Sequence, residues 1–220
     1  MSYEHNGTTY TANSAHELLF GRALLKLHNC PAPPFINPKK SSTSPNQIIK
    51  KLRKIRDYPQ ANLLKKIIIK LFEDIEKTST PHTQHFKRHI CHGDAWPGNA
   101  LYSKNHCTLI DFEHTNISDP AFDIATFMWW LTGVEDKEEQ KLTIWNNFTS
   151  GYGGTIESYI NKYTPTLIKT NQLRNLVFLH NNIVISEEIL ELAHQQTSEL
   201  IIRLIPYTDL EKLVDSLWKN

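Results

Sequence analysis

Glycine is scarce in this chain of 220 residues, which has eight. The two that precede residue 93, Gly7 and Gly21, stand alone, so no loop that cradles phosphate through its own backbone N–H groups is expected there. The one cluster, Gly151-Tyr152-Gly153-Gly154, lies late in the chain and reads as a helix connection. Cysteine is also sparse: Cys30, Cys91 and Cys107 are odd in number and follow no CxxC spacing. A disulfide framework is thereby excluded and a reducing, cytoplasmic setting is expected. No signal-peptide pattern opens the chain and no apolar run is long enough to span a bilayer, so no membrane partner is expected. An excess of one charge is missing as well, since 24 Lys and Arg face 23 Asp and Glu, for a formal net charge of +1. Nucleic acid would want a concentrated basic face, and none is expected as a partner. The single basic run, Lys50-Lys51-Leu52-Arg53-Lys54-Ile55-Arg56, alternates with Leu and Ile at helical spacing and reads as a solvated helix face.

What the chain does contain is ordinary globular material, 40% apolar and 21% charged, in a length that can bury one sizeable core. Residues 15 to 29 form a helix that Ser14 can cap, ended by Pro31-Ala32-Pro33-Pro34. A surface excursion follows to about Ser44. Residues 46 to 56 and 60 to 78 carry apolar side chains at spacings of three and four, the second set being Leu63, Leu64, Ile67, Ile68, Leu71, Phe72 and Ile75, which predicts two amphipathic helices. Ser118-Asp119-Pro120 starts a strongly apolar segment through Leu131. Beyond Glu135 helices are expected at about 136 to 150, 154 to 163, 170 to 183, 184 to 195 and 197 to 218, with a turn at Thr164-Pro165 and a break at Pro206.

The chemistry is concentrated in His92-Gly93-Asp94-Ala95-Trp96-Pro97-Gly98-Asn99 and, twelve residues after Asn99, in Asp111 within Ile110-Asp111-Phe112-Glu113. An Asp followed by four residues and an Asn is the spacing of a kinase catalytic loop, in which the Asp accepts a hydroxyl proton and the Asn binds magnesium. Phosphoryl transfer asks the protein for positioning and charge neutralisation more than for covalent chemistry. Hard oxygen ligands suit that task, and Mg²⁺ takes one or two protein carboxylates besides water and phosphate oxygens. Asp111 and the carbonyl of Asn99 would suffice as metal ligands, leaving Asp94 as base. Ala100-Leu101-Tyr102 and Cys107-Thr108-Leu109-Ile110, joined by Ser103-Lys104-Asn105-His106, read as a hairpin that brings Asn99 and Asp111 together. Pro97-Gly98 supplies the tight turn ahead of it. The bland alternative, polar breaks in a helical protein, does not account for the ordered set.

HGDAWPGN followed by LIDFEHTNISDPAFDIA resembles the aminoglycoside phosphotransferase and choline kinase family, small-molecule kinases with a protein-kinase-like fold. The resemblance implies Asp94 as catalytic base, Asn99 and Asp111 as magnesium ligands, and His92 as a scaffold of the loop. It also implies that Asp123 opens a helix and braces the loop, and that Glu113 has a supporting role. Leu18 to Asn29 resembles the first long helix of the family's large lobe, and Tyr3-Glu4-His5-Asn6-Gly7 its segment just past the interlobe hinge. The fold implied is mainly α with a small β-hairpin (α+β): a large C-terminal lobe over 1–220, with a post-hinge segment at 1–12, helices and linker at 13–91, catalytic loop and metal hairpin at 92–113, and a helical subdomain at 114–220. The small lobe, with its phosphate-binding Lys, would precede residue 1. A separate polypeptide could supply it, or the chain could be a lobe that binds a ligand without catalysis.

The implied activity is magnesium-dependent transfer of a phosphoryl group from ATP or GTP to a small-molecule hydroxyl. A polycationic aminosugar would want carboxylates, offered by Glu135, Asp136, Glu138 and Glu139 or by Glu187, Glu188 and Glu191. Choline or ethanolamine would want aromatic faces, offered by Trp129, Trp130, Trp145 or Tyr152. Acidic first turns and core tryptophans are the plainer readings of both sets. His82, His85, His89 and His92 are close in sequence but do not read as a zinc site, because alternate residues of a strand face opposite ways.

Overall fold

The apolar spacing of residues 60 to 78 is realised as the longest helix among the described residues. A computed structural model describes residues 4–5, 8–9, 14–31, 44–52, 59–78, 89–133, 138–160 and 163–202. Within these, short strands β1 (Glu4–His5) and β2 (Thr8–Thr9) pair antiparallel and precede α1 (Ser14–His28), α2 (Pro45–Ile49) and α3 (Pro59–Thr78). Four more strands follow: β3 (His89–Cys91), β4 (Ala100–Ser103), β5 (His106–Leu109) and β6 (Asn116–Ser118). The remainder is α4 (Ala121–Thr132), α5 (Glu138–Tyr152), a 3₁₀ turn at Gly154–Ser158, α6 (Thr164–Asn182) and α7 (Glu187–Ile202).

Two apolar clusters hold these helices. In the first, Phe20 and Leu24 of α1, Ile124, Phe127 and Met128 of α4, and Ile144, Trp145, Phe148 and Tyr152 of α5 are buried together, with the Phe127 and Phe148 rings stacked at 3.9 Å. In the second, Leu64, Ile68 and Leu71 of α3 meet Leu173, Leu176 and Val177 of α6 and Ala193 of α7. Lys169 of α6 also reaches Asp74 of α3 at 2.7 Å. Helix α6 joins the clusters, packing on α3 and on α4.

Gly151 is part of this packing rather than of a loop. It lies in α5, where an added Cβ would collide with the Leu18 carbonyl of α1, and one on Gly21 of α1 would collide with the Phe148 carbonyl of α5. The two helices cross with glycine against backbone. Gly21→Ala must push them apart, and overpacking of this kind costs about 1–3 kcal/mol. Urea denaturation of the variant should show that loss; an unchanged midpoint would contradict the close crossing.

Several boundaries differ from expectation. Of the helix expected over 46 to 56, the described residues to 52 hold the short α2, and residues 53–58 lie outside the described ones. Thr164-Pro165 is not a turn between helices but the first turn of α6, with proline at its start, where the missing N–H costs nothing. Of the stretch 154 to 163, Gly154–Ser158 is a 3₁₀ turn rather than part of a full helix, and residues 161–162 lie outside the described ones. Helix α7 runs unbroken through residue 196, because Ala193, Thr197 and Leu200 bury one continuous face. Pro206, the linker to residue 43 and the side chain of Ser14 fall outside the described residues.

Candidate active site

Strand β3 pairs antiparallel with β6, His89 opposite Ser118 and Cys91 opposite Asn116. Between them the chain makes a loop at 92–96, a 3₁₀ turn at Pro97–Asn99 and the β4–β5 hairpin, in which Ala100 faces Leu109 and Ser103 faces His106. The expected hairpin is thus present. At its open end the Ile110 N–H donates to the Asn99 carbonyl at 3.0 Å, so Asn99 and Asp111 flank a single backbone hydrogen bond.

Asp123, in the first turn of α4 and fully buried, organises the loop. Its Oδ2 accepts the His92 N–H at 2.7 Å and its Oδ1 accepts the Gly93 N–H at 2.8 Å, while His28 Nε2 approaches Oδ2 at 3.0 Å. His28 Nδ1 meets the Tyr152 hydroxyl at 2.6 Å. Burial pushes that phenol well above its usual range, with neighbouring acidic groups adding to the effect. The Asp123 carboxylate can only accept, so Nε2 carries the proton, and in the neutral ring Nδ1 accepts from the Tyr152 hydroxyl. A buried carboxylate with three donors at a helix N-terminus is well compensated. Cys91 completes a buried group whose ligand atoms lie within 4.8 Å of one another. It does not read as a metal site, since both His28 nitrogens are engaged and burial, with Asp123 and Asp119, pushes the thiol far up.

His92 turns its ring to the other side of the loop. Nε2 lies 2.8 Å from the Ile110 carbonyl, which can only accept, so this nitrogen carries the proton. The imidazole ties the loop at 92–96 to the segment leading into Asp111. His89 Nδ1 likewise bonds the His28 carbonyl at 2.7 Å, so two of the four histidines of the sequence cluster hold backbone; His82 and His85 lie outside the described residues. Gly93, at φ 82°, leaves no room for a Cβ against the His114 carbonyl.

Asp94 is held through both oxygens. Asn99 Nδ2 donates to Asp94 Oδ2 at 2.8 Å and to the Asp94 carbonyl at 2.9 Å. Both partners are acceptors, so the amide orientation is fixed by chemistry and the Asn99 oxygen is the atom left over. Arg174 Nη2 donates to Asp94 Oδ1 at 2.8 Å. Asp111 has φ 61° and ψ 59°, the one non-glycine positive φ among the described residues. Asp tolerates that conformation better than most residues, and such strain clusters at functional sites. Its carboxylate is exposed and has no hydrogen-bond or ion-pair partner among the described residues. A spare amide oxygen and an uncommitted carboxylate flanking one backbone bond fit a hard divalent cation.

The other candidates sit elsewhere. Glu113 points to solvent, 70% exposed, beside His114 at 3.4 Å. Trp130, Trp145 and Tyr152 are core residues, so no cation can reach their faces; this corrects the aromatic-pocket reading for them, because their rings fill the space between α1, α4 and α5. Trp129 packs against that core and its indole N–H donates to Gln172 at 2.8 Å. Glu187 and Glu191 line a cleft of ≈ 700 Å³ between α3 and α7 together with Lys66, Lys70 and His194, a mixed rather than acidic lining. Residues 134–137 and the side chain of Glu138 lie outside the described residues. Sequence reasoning missed Arg174 and His28 as members of the site's hydrogen-bond network. His28 ends the first long helix of the resemblance, whereas Arg174 carries no local signal.

No curated protein matches the chain. Among solved structures it is similar to the amicoumacin kinase hAmiN in complex with AMP-PNP, Ca²⁺ and Ami, at 14% identity and TM-score 0.58, over 90% of this chain and 61% of that one. It is also similar to a choline/ethanolamine kinase family protein from Mesorhizobium loti, at 14% identity and TM-score 0.56, over 93% and 67%. Spectinomycin phosphotransferase APH(9)-Ia in its AMP-bound complex gives 14% and 0.56, over 94% and 68%. The chain thus spans about three fifths of the length of the first of these, and the likeness fixes the fold as the helical lobe of kinase-like phosphotransferases. The family model described as the phosphotransferase enzyme family matches residues 2–155. The chain belongs to that family.

Proposed function

We propose that this chain carries the acceptor-activating and metal-binding half of a phosphotransferase that moves the γ-phosphoryl group of ATP or GTP to a hydroxyl of a small molecule. The observation that carries the reading is the division of labour at Asn99: its nitrogen fixes Asp94 and leaves its oxygen unengaged, at the end of the hairpin where the Ile110–Asn99 backbone bond precedes the uncommitted Asp111. Mg²⁺, when held by Asn99 and Asp111, would neutralise charge on the phosphate oxygens. Asp94 would accept the proton as the acceptor oxygen bonds to phosphorus and the bond to the nucleoside diphosphate breaks. His92 and Asp123 keep the loop in the geometry this requires. The acceptor class is an aminoglycoside, choline, ethanolamine or a related amino alcohol or sugar, in line with what the similar structures are said to phosphorylate. The setting is cytoplasmic.

Leu101 and Phe112, 55% and 44% exposed, flank Asn99 and Asp111 in sequence. Apolar exposure beside a phosphate site favours a covering element that completes the nucleotide pocket, in the same protein or as a separate small-lobe polypeptide. The rival reading, a lobe that binds a ligand or partner without catalysis, would use the same surface. ³¹P NMR of the chain with Mg²⁺ and ATP or GTP, against a panel of amino alcohols, aminoglycosides and sugars, distinguishes the two. A phosphomonoester signal that needs Mg²⁺ and an acceptor is expected. Its absence throughout, also with a covering lobe supplied, would refute transfer.

A further inference from the structure

We propose that Arg174 is a positioning residue of the transfer site, one that locks the side-chain rotamer of Asp94; the inference rests on the phosphotransferase reading above. Arg174 lies on α6, 80 residues from Asp94. Its guanidinium bridges two consecutive residues of the catalytic loop, Nη1 donating to the Gly93 carbonyl at 2.7 Å and Nη2 to Asp94 Oδ1 at 2.8 Å. Its third side is held as well, with Cζ 5.8 Å from the centroid of the Phe122 ring, and Phe122 is itself buried next to the bracing Asp123. A planar fork gripped at two donors and one face is a far stiffer strut than an ammonium would be.

The placement is chemically unusual, because a cation bonded to a general base opposes protonation of that base. Its benefit must lie in geometry. With Oδ2 on Asn99 and Oδ1 on Arg174, the Asp94 carboxylate cannot rotate, and each oxygen still has a second lone pair with which to accept an acceptor hydroxyl. Asn99 and Arg174 thereby couple metal site, base and helix α6 in one rigid unit. The pair is partly shielded, with side chains 22% and 25% exposed, enough to leave Asp94 open on one side. A plain staple between α6 and the loop would need only the bond to Gly93. The second bond, to the base itself, is what assigns the positioning role.

Two measurements test the proposal. The first needs no turnover: the guanidinium nitrogens of Arg174 in ¹⁵N-labelled protein should give separate Nη1 and Nη2 signals in the parent chain, and these should merge in Asp94→Ala. Averaged signals in the parent would overturn the clamp. The second uses Mg²⁺-dependent ATP hydrolysis, with water as acceptor. Arg174→Gln should lower kcat by about ten- to a hundredfold, the scale of a slightly misplaced reacting group, with KM for Mg-ATP and the melting temperature little changed. Arg174→Lys should recover only part of the rate, and guanidinium ion added to Arg174→Ala should restore some of it. An unchanged kcat, or a loss that follows melting temperature and resists rescue, would overturn the positioning role. Absence of hydrolysis in the parent, also with a covering lobe supplied, would count against the phosphotransferase reading instead, and the guanidinium spectrum would still decide whether Arg174 fixes Asp94.

Discussion

Asp94→Ala should lower phosphoryl transfer by about 10²–10⁴-fold, the usual contribution of a positioned general base. Alanine is the informative replacement here. An Asn at this position would present an amide either to Arg174 or to Asn99 as donor against donor, and would disturb the Asn99 oxygen that the metal needs. Alanine instead leaves Arg174 its bond to the Gly93 carbonyl and Asn99 its bond to the residue 94 carbonyl. Stability and magnesium-dependent nucleotide affinity should therefore be nearly unchanged. Comparison of single-turnover transfer with nucleotide titration separates the two effects. Turnover equal to that of the parent chain would remove Asp94 from the role of base.

Asp123→Ala should have the largest effect on folding. The carboxylate is buried and compensates the His92 and Gly93 N–H groups as well as His28. Its loss strands three donors away from water, and removal of one partner from a buried polar network of this kind costs about 3–5 kcal/mol. The consequence reaches the loop before it reaches the core. With the His92 and Gly93 N–H groups released, the backbone carrying Asp94 loses its tie to α4. Urea unfolding should show the loss in midpoint, and Tyr152→Phe, which removes only the outermost member of the chain, should show a smaller one. A loss in Asp123→Ala of no more than that of a typical surface substitution would mean that the loop is braced by other groups.

The parts of this protein that were legible in its sequence are those written locally. The spacing of His92, Asp94, Asn99 and Asp111, the turn residues of the hairpin and the apolar stripe of α3 each lie within a short window, and the structure places them as that window implies. Contacts between distant segments were not legible. Arg174 is one basic residue in a helix of ordinary composition, and only the packing of α6 on α4 carries it to Asp94. Trp130 and Trp145 could have faced a ligand or the core on sequence grounds, and the crossing of α1, α4 and α5 decided for the core. Gly151 illustrates the same limit, since a glycine that admits a neighbouring helix has the same letter as one that makes a turn. The helix boundary at Thr164-Pro165 was misjudged for a different reason: proline both ends and begins helices, and only the following pattern tells which.

The central claim, that Asn99 and Asp111 form a metal-dependent phosphate site, is tested most directly by calorimetric titration of the 220-residue chain with ATP, with and without Mg²⁺, beside its Asp111→Asn variant. Asn tolerates the left-handed backbone of this position and keeps the side-chain shape, so the charge of the metal ligand is what changes. Binding that requires Mg²⁺ in the parent chain and is lost in Asp111→Asn is the predicted result. ATP binding that is indifferent to Mg²⁺, or that survives unchanged in Asp111→Asn, would contradict the account.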